Sequence, residues 1–138
     1  MFCLLNQTLI PMEPKSFPEP FQKENFSYQI KWDGIRVLTF LQNKRIRFLT
    51  RRHQDHTRQY PELADLGNQI NAKEAIVDGE FVVLDQSGKP SFAKIIKRDF
   101  ASYDSIKRFS LTLPATYIVF DILYKNGQDL RQLPWKEL

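Results

Sequence analysis

Residues 31–36 read Lys31-Trp32-Asp33-Gly34-Ile35-Arg36, set between the aromatic approach Phe26-Ser27-Tyr28-Gln29-Ile30 and the apolar run Val37–Leu41. Strand interiors disfavour Asp and Gly, so this stretch breaks local propensity between two runs that obey it. Breaks of that kind concentrate at functional sites. The flanking pattern predicts a strand over 26–30, a break at Asp33-Gly34 and a second strand over 36–41. Gln42-Asn43-Lys44 reads as a turn, and residues 45–51 return as a third strand. Ile46, Phe48 and Thr50 then share one face, and Arg45, Arg47, Leu49 and Arg51 the other. An antiparallel return carries Arg51 and Arg52 back towards Lys31.

Upstream, residues 1–25 contain Pro11, Pro14, Pro18 and Pro20, which predicts an extended lead-in lying across the domain. Downstream the period changes. Tyr60-Pro61-Glu62-Leu63 opens a helix with Leu63, Leu66 and Ile70 as its buried stripe. Residues 75–84 form a strongly apolar strand and 85–90 a turn. Ser91 caps a helix over 92–97 with Phe92, Ile95 and Ile96 inward. Residues 97–109 are compatible with loop or helix. Residues 117–124 form another buried strand before a turn at Lys125-Asn126-Gly127-Gln128. The pattern is α+β, with mostly antiparallel sheets and flanking helices.

Composition narrows the class. With 42% apolar residues and only 5 glycines in 138, the chain is a folded single domain rather than a disordered segment. Cys3 is the one cysteine, which excludes an intrachain disulfide framework and a cysteine metal site and fits a reducing cytoplasm. No basic-then-apolar leader opens the chain, and no run nears the roughly 18 apolar residues of a membrane span. The expectation is a soluble cytoplasmic protein with no membrane partner. A net charge of +4 fits a polyanionic partner.

Three acids, Asp33, Glu80 and Asp121, sit in or beside apolar stretches. A buried carboxylate needs a cation, a donor or a ligand. Pairing with Lys31, Arg36 and Arg51 as structural salt bridges accounts for each one singly; the three together point to a shared site. A neutral lysine attacks carbonyl or phosphorus centres, arginines hold phosphates, and carboxylates hold Mg²⁺. Phe120 beside Asp121 offers a face to a base. The set reads as nucleotidyl transfer to lysine. His53 and His56 flank Asp55 in a polar turn, where exposed residues near DNA are a simpler account than a metal site. Lys44-Arg45-Ile46-Arg47 reads as a solvated hairpin edge.

Lys31-Trp-Asp-Gly-Ile-Arg36 resembles motif I of the covalent nucleotidyltransferases. Thr50-Arg51 resembles their motif Ia, Asp78-Gly-Glu-Phe81 motif III, and Val119-Phe-Asp-Ile-Leu123 motif IIIa. With Tyr60-Pro-Glu-Leu63, Gly88-Lys-Pro-Ser-Phe92 and Leu130-Arg-Gln-Leu-Pro134, the series is most similar to bacterial ATP-dependent DNA ligases of the nonhomologous end-joining type. The resemblance implies that Lys31 takes AMP from ATP as a lysyl phosphoramidate and passes it to a DNA 5′-phosphate for nick sealing in repair. It implies nucleotide contacts from Gln29, Ile30, Arg36, Arg51, Glu80 and Phe120, with Asp33 and Glu80 at Mg²⁺ or Mn²⁺. Many relatives have Glu where Gln29 stands. Arg52, Lys97 and Arg98 are expected at DNA.

Residues 26–138 thus read as a partial adenylation domain holding motifs I, Ia, III and IIIa, without motif IV, motif V or an OB-fold domain. The expected partners are nicked or broken duplex DNA and a second chain or end-joining proteins supplying the missing parts. The alternative is an inactive or accessory nucleotide- and DNA-binding module completed by a second chain. As a free chain it is expected to bind ATP weakly and not to seal nicks unaided.

Overall fold

The computed structural model describes residues 4–20 and 22–137. One antiparallel sheet organises them: β1 (Ile35–Gln42), β2 (Arg45–Thr50), β3 (Glu74–Val82), β4 (Thr116–Lys125) and the short β5 (Gln128–Asp129), in the order β2-β1-β3-β4-β5. The helices are α1 (Leu66–Gln69), α2 (Phe92–Asp99) and α3 (Tyr103–Thr112).

The β1–β2 hairpin closes on Asn43 and Lys44, both at positive φ, as a two-residue turn matched to strand twist requires. Asn126 and Gly127 do the same between β4 and β5. The predicted alternation is observed. Val37, Phe48, Tyr60, Phe81, Val83 and Ile95 form the cluster on the helical side, with Ile46 packed against it. Leu38, Phe40, Ile76 and Tyr124 form the cluster on the other face. That second face is covered by the lead-in, whose Leu5 and Leu9 are buried among these residues.

Several expectations need correction. Residues 26–30 form no strand: they pair with none of the five strands, and β1, into which they lead, already has β2 on one edge and β3 on the other. Phe26, Tyr28 and Ile30 are consequently exposed. The segment after Tyr60 is a 3-10 turn (Pro61–Leu63) followed by one turn of helix, with Leu63 and Leu66 only half-buried. Gly67 is the buried residue there; a Cβ would collide with the Lys44 carbonyl of the hairpin turn. Helix α2 runs two residues further than expected and buries Ile95, Arg98 and Asp99, while Phe92 is 48% exposed. Ser91 stands at its N-cap without a side-chain bond. Residues 103–112 resolve the ambiguous region as helix α3.

Strand β4 has two irregularities. Asp78 pairs with Asp121 but Gly79 with Val119, leaving Phe120 as an extra residue; Ile76 pairs with Tyr124 but Val77 with Ile122, leaving Leu123. A bulge re-aims a side chain at the point of insertion. Leu123 and Tyr124, although adjacent, thereby pack on the same cluster.

Candidate functional site

The site lies at the end of β1 where the lead-in, β3 and β4 meet. Cross-strand register sets Arg36 opposite Glu80 and Leu38 opposite Asp78, so strand alternation puts Arg36, Asp78 and Glu80 on one face. The bulge adds Phe120, whose ring lies 5.6 Å from the Arg36 guanidinium, beside Asp121.

Gly34 explains the break in the motif. Its N–H donates to Glu80 Oε1 at 2.8 Å, an approach that the absence of a side chain allows, because a Cβ would collide with the Phe81 carbonyl oxygen. Burial raises the Glu80 carboxyl above the usual carboxylate range; the Gly34 hydrogen bond and the charges of Lys31 and Arg36 pull it back. Lys31 is exposed, with its charge within reach of Glu80. Asp33 is exposed and its charge also acts on Glu80.

Arg36 is held on three sides. Its Nε and Nη2 donate to Asp78 Oδ1 and Oδ2 at 3.0 and 2.6 Å, and its Nη1 to the Met12 carbonyl at 2.5 Å. The bidentate bond to Asp78 is the main cause that raises the Arg36 pKa. Burial raises Asp121 too, and the neighbouring Asp78 charge adds to it. Asp78 was not among the expected site residues. Its signal was available, since it stands two positions before Glu80 on an apolar strand and so shares its face.

A cleft of about 700 Å³ opens beside this cluster. Gln29, Ile30 and Phe120 line it, together with Asp121, Trp32 and Trp135. Arg51 is not in this cleft; it forms an exposed ion pair with Glu13 of the lead-in. Arg52 and Lys97 are exposed, and Lys97 lies 5.4 Å from the Phe109 ring.

Arg98 corrects the expectation of a DNA contact. Its side chain is fully buried, donates to Glu62 Oε2 at 2.8 Å and stacks 4.8 Å from the Tyr60 ring. A guanidinium so enclosed presents nothing to a phosphate outside. His56 is not an exposed residue either: its Nδ1 lies 2.7 Å from Asp99 Oδ1, which also accepts from the Tyr60 hydroxyl.

No group of three or more His, Cys, Asp or Glu side chains converges as a metal cage among the described residues. Mg²⁺ commonly takes one or two protein carboxylates and completes its shell with water and substrate phosphates. Of the two carboxyl groups expected at a cation, Glu80 is tied to the Gly34 N–H and Asp33 is exposed. No helix among the described residues is long and apolar enough to cross a membrane.

With the geometry in hand, similarity to known proteins is specific. The ATP dependent DNA ligase domain family matches residues 11–138. A prophage-derived DNA ligase-like protein, LigB of Bacillus subtilis, is 34% identical over 127 residues, which is 92% of this chain and 43% of LigB. The multifunctional non-homologous end joining protein LigD of Pseudomonas aeruginosa is 29% identical over 93% of this chain and 14% of its own length. The solved ligase domain of M. tuberculosis LigD superposes with a TM-score of 0.61 at 29% identity, over 78% of this chain and 32% of that one. The chain therefore spans less than half the length of these relatives. Within that span the family match and the likeness of the antiparallel sheet agree, and the chain belongs to the ATP-dependent DNA ligase domain family.

Proposed function

We propose that the chain provides the nucleotide-binding part of an ATP-dependent DNA ligase, with Lys31 as nucleophile. Neutral Nζ of Lys31 attacks the α-phosphorus of ATP; an N–P bond forms, the bond to the bridging oxygen breaks, pyrophosphate leaves and Nζ gives up a proton. An oxygen of a 5′-phosphate at a nicked or broken duplex then displaces lysine and takes the AMP, and the neighbouring 3′-hydroxyl expels AMP as the new phosphodiester forms.

The observation that carries this reading is the Gly34–Glu80 hydrogen bond. It ties the Lys31 stretch to the strand bearing Glu80, within one strand of the cleft lined by Phe120. In this arrangement Phe120 faces the base, Gln29 and Ile30 meet its edge, Glu80 accepts from the ribose hydroxyls and Arg36 reaches a phosphate or the ribose. Glu80 and Asp33 would hold a divalent cation, which would supply charge neutralisation at the phosphates. Arg51, Arg52 and Lys97 contribute cations towards DNA. Similarity to the end-joining protein LigD supports DNA-break repair as the setting.

Incubation with α-labelled ATP and Mg²⁺ or Mn²⁺ tests the proposal. The expected result is a faint acid-labile, covalent label, in keeping with weak ATP binding by a partial domain, that maps to Lys31 and vanishes in Lys31→Ala. Label at another residue, or none at saturating ATP, refutes it.

A further inference from the structure

The chain has two tryptophans, Trp32 and Trp135, and both line the cleft. Trp32 belongs to the Lys31 stretch. Trp135 arrives from more than 100 positions away, on a 3-10 turn (Trp135–Glu137) that the reading above does not use. Its indole N–H donates to the Phe120 carbonyl at 3.3 Å, reaching over the edge of β4. The edge is open at that point because β5 pairs only with Tyr124 and Lys125. The indole is thus anchored to the backbone of the aromatic at the bulge, yet Trp135 remains 51% exposed. An indole held by its single donor at a cleft wall, rather than packed in a core, presents a flat face to solvent. Lys136, the next residue, is exposed and lines the same cleft. Flat aromatic faces stack on any nucleobase, and an ammonium on a flexible stem suits a phosphate.

We propose that Trp135 and Lys136 are nucleotide-binding residues: Trp135 is a second aromatic wall beside Phe120, and Lys136 a cation for the nucleotide's phosphates. This rests on the nucleotide reading of the cleft given above. It divides the work between two neighbouring side chains, so base and phosphate contributions are separable by choice of ligand.

The test titrates the full 138-residue chain with ATP and with adenosine, by calorimetry and by tryptophan fluorescence. Trp135→Ala is expected to weaken both ligands by the same factor, about tenfold for the loss of one base-stacking side chain. Trp135→Phe, which keeps a face but loses the N–H anchor, should fall between it and wild type. Lys136→Ala should weaken ATP several-fold and leave adenosine unchanged. In a Trp32→Phe chain, Trp135 is the sole indole and its emission should respond to both ligands. If Trp135→Ala binds ATP and adenosine as wild type does, the inference is overturned while the nucleotide reading stands. If wild type binds neither ligand, the nucleotide reading itself fails and the inference with it. Should Trp135→Ala fail to fold, unchanged Trp135 emission at saturating ATP in the Trp32→Phe chain overturns the inference instead.

Discussion

Gly34 and Glu80, 46 positions apart in sequence, are joined by a hydrogen bond from the glycine N–H to Oε1 at 2.8 Å. The motif glycine is therefore a packing requirement of β3 as much as a feature of the lysine loop. Gly34→Ala places a methyl against the Phe81 carbonyl and Val82, forcing the loop outward and breaking this bond. The expected cost is about 1–3 kcal/mol of stability, typical of overpacking, with loss of most labelling at Lys31. Urea denaturation alongside the labelling assay measures both; wild-type values in each would refute the assignment.

Asp78 holds Arg36 through two hydrogen bonds while itself only 4% exposed. Replacing it leaves the arginine facing Glu80 and Asp121 without its main partner. Asp78→Asn is expected to lose about 3 kcal/mol, the low end for breaking a buried pair, and to raise KM for ATP as Arg36 loses its orientation. A variant with normal stability and normal KM would show that Arg36 does not depend on Asp78.

Glu80 and Asp121 carry carboxyl pKa values raised chiefly by burial. A raised folded value means that the folded state holds the proton more tightly than the unfolded chain does. Its contribution to stability is then fully present below the unfolded pKa of about 4 and is lost as pH rises through the folded value. At pH 7, above the unfolded value, the raised carboxyls of Glu80 and Asp121 therefore cost stability, as functional groups often do. Glu80→Gln, which retains an acceptor for Gly34, and Asp121→Asn should both raise Tm at pH 7, with the gain fading at pH 4. Equal gains at the two pH values would exclude charge as the cause. Glu80→Gln should also lower labelling at Lys31.

Arg98 and Glu62 make a contrasting pair on the helical side. Glu62 also accepts from the Ala115 N–H, so one carboxylate joins α2 to the start of β4. Glu62→Ala strands a fully buried guanidinium and is expected to cost about 3–5 kcal/mol. The double variant Arg98→Met/Glu62→Gln removes both charges, keeps an acceptor for the Ala115 N–H and should cost much less. Its DNA affinity should keep the wild-type salt dependence, because no phosphate contact is lost. A shallower salt slope would restore Arg98 to the DNA surface.

Glu13 neutralises Arg51 from the lead-in. Glu13→Gln frees that cation and should tighten binding to nicked duplex DNA by about twofold to fivefold at low salt, the scale of an exposed pair. The effect should disappear in an Arg51→Ala background. An equal gain in both backgrounds would mean a general charge effect.

Legibility in the sequence followed the range of the interaction. The return strand of the hairpin announces itself by alternation, and β3 and β4 by apolar runs. The placement of Arg36 and Glu80 follows from strand period, whereas Phe120 sits at a bulge that no period encodes. The 26–30 segment failed because alternation measures a residue's own preference, while strand formation needs a free neighbouring edge, and β1 has none. Arg98 failed for the opposite reason: charge predicts exposure unless a partner such as Glu62, 36 positions away, is known to wait inside. Trp135 and Met12 reach the site through backbone carbonyls, which no side-chain pattern encodes.

Across Ala75–Val82, β3 uses eight residues where β4 uses ten, from Thr116 to Lys125. The two strands therefore work as a vernier, with Asp121 lying between the two offset divisions at Phe120 and Leu123. Deleting Phe120 would close one division and leave Val119 opposite Gly79 and Asp121 opposite Asp78, a regular ladder with no residue to spare for the cleft. Substituting Phe120 only removes a ring from the cleft. The added length at this position thus gives the ring a place beside the acid without disturbing the Asp78–Asp121 pair.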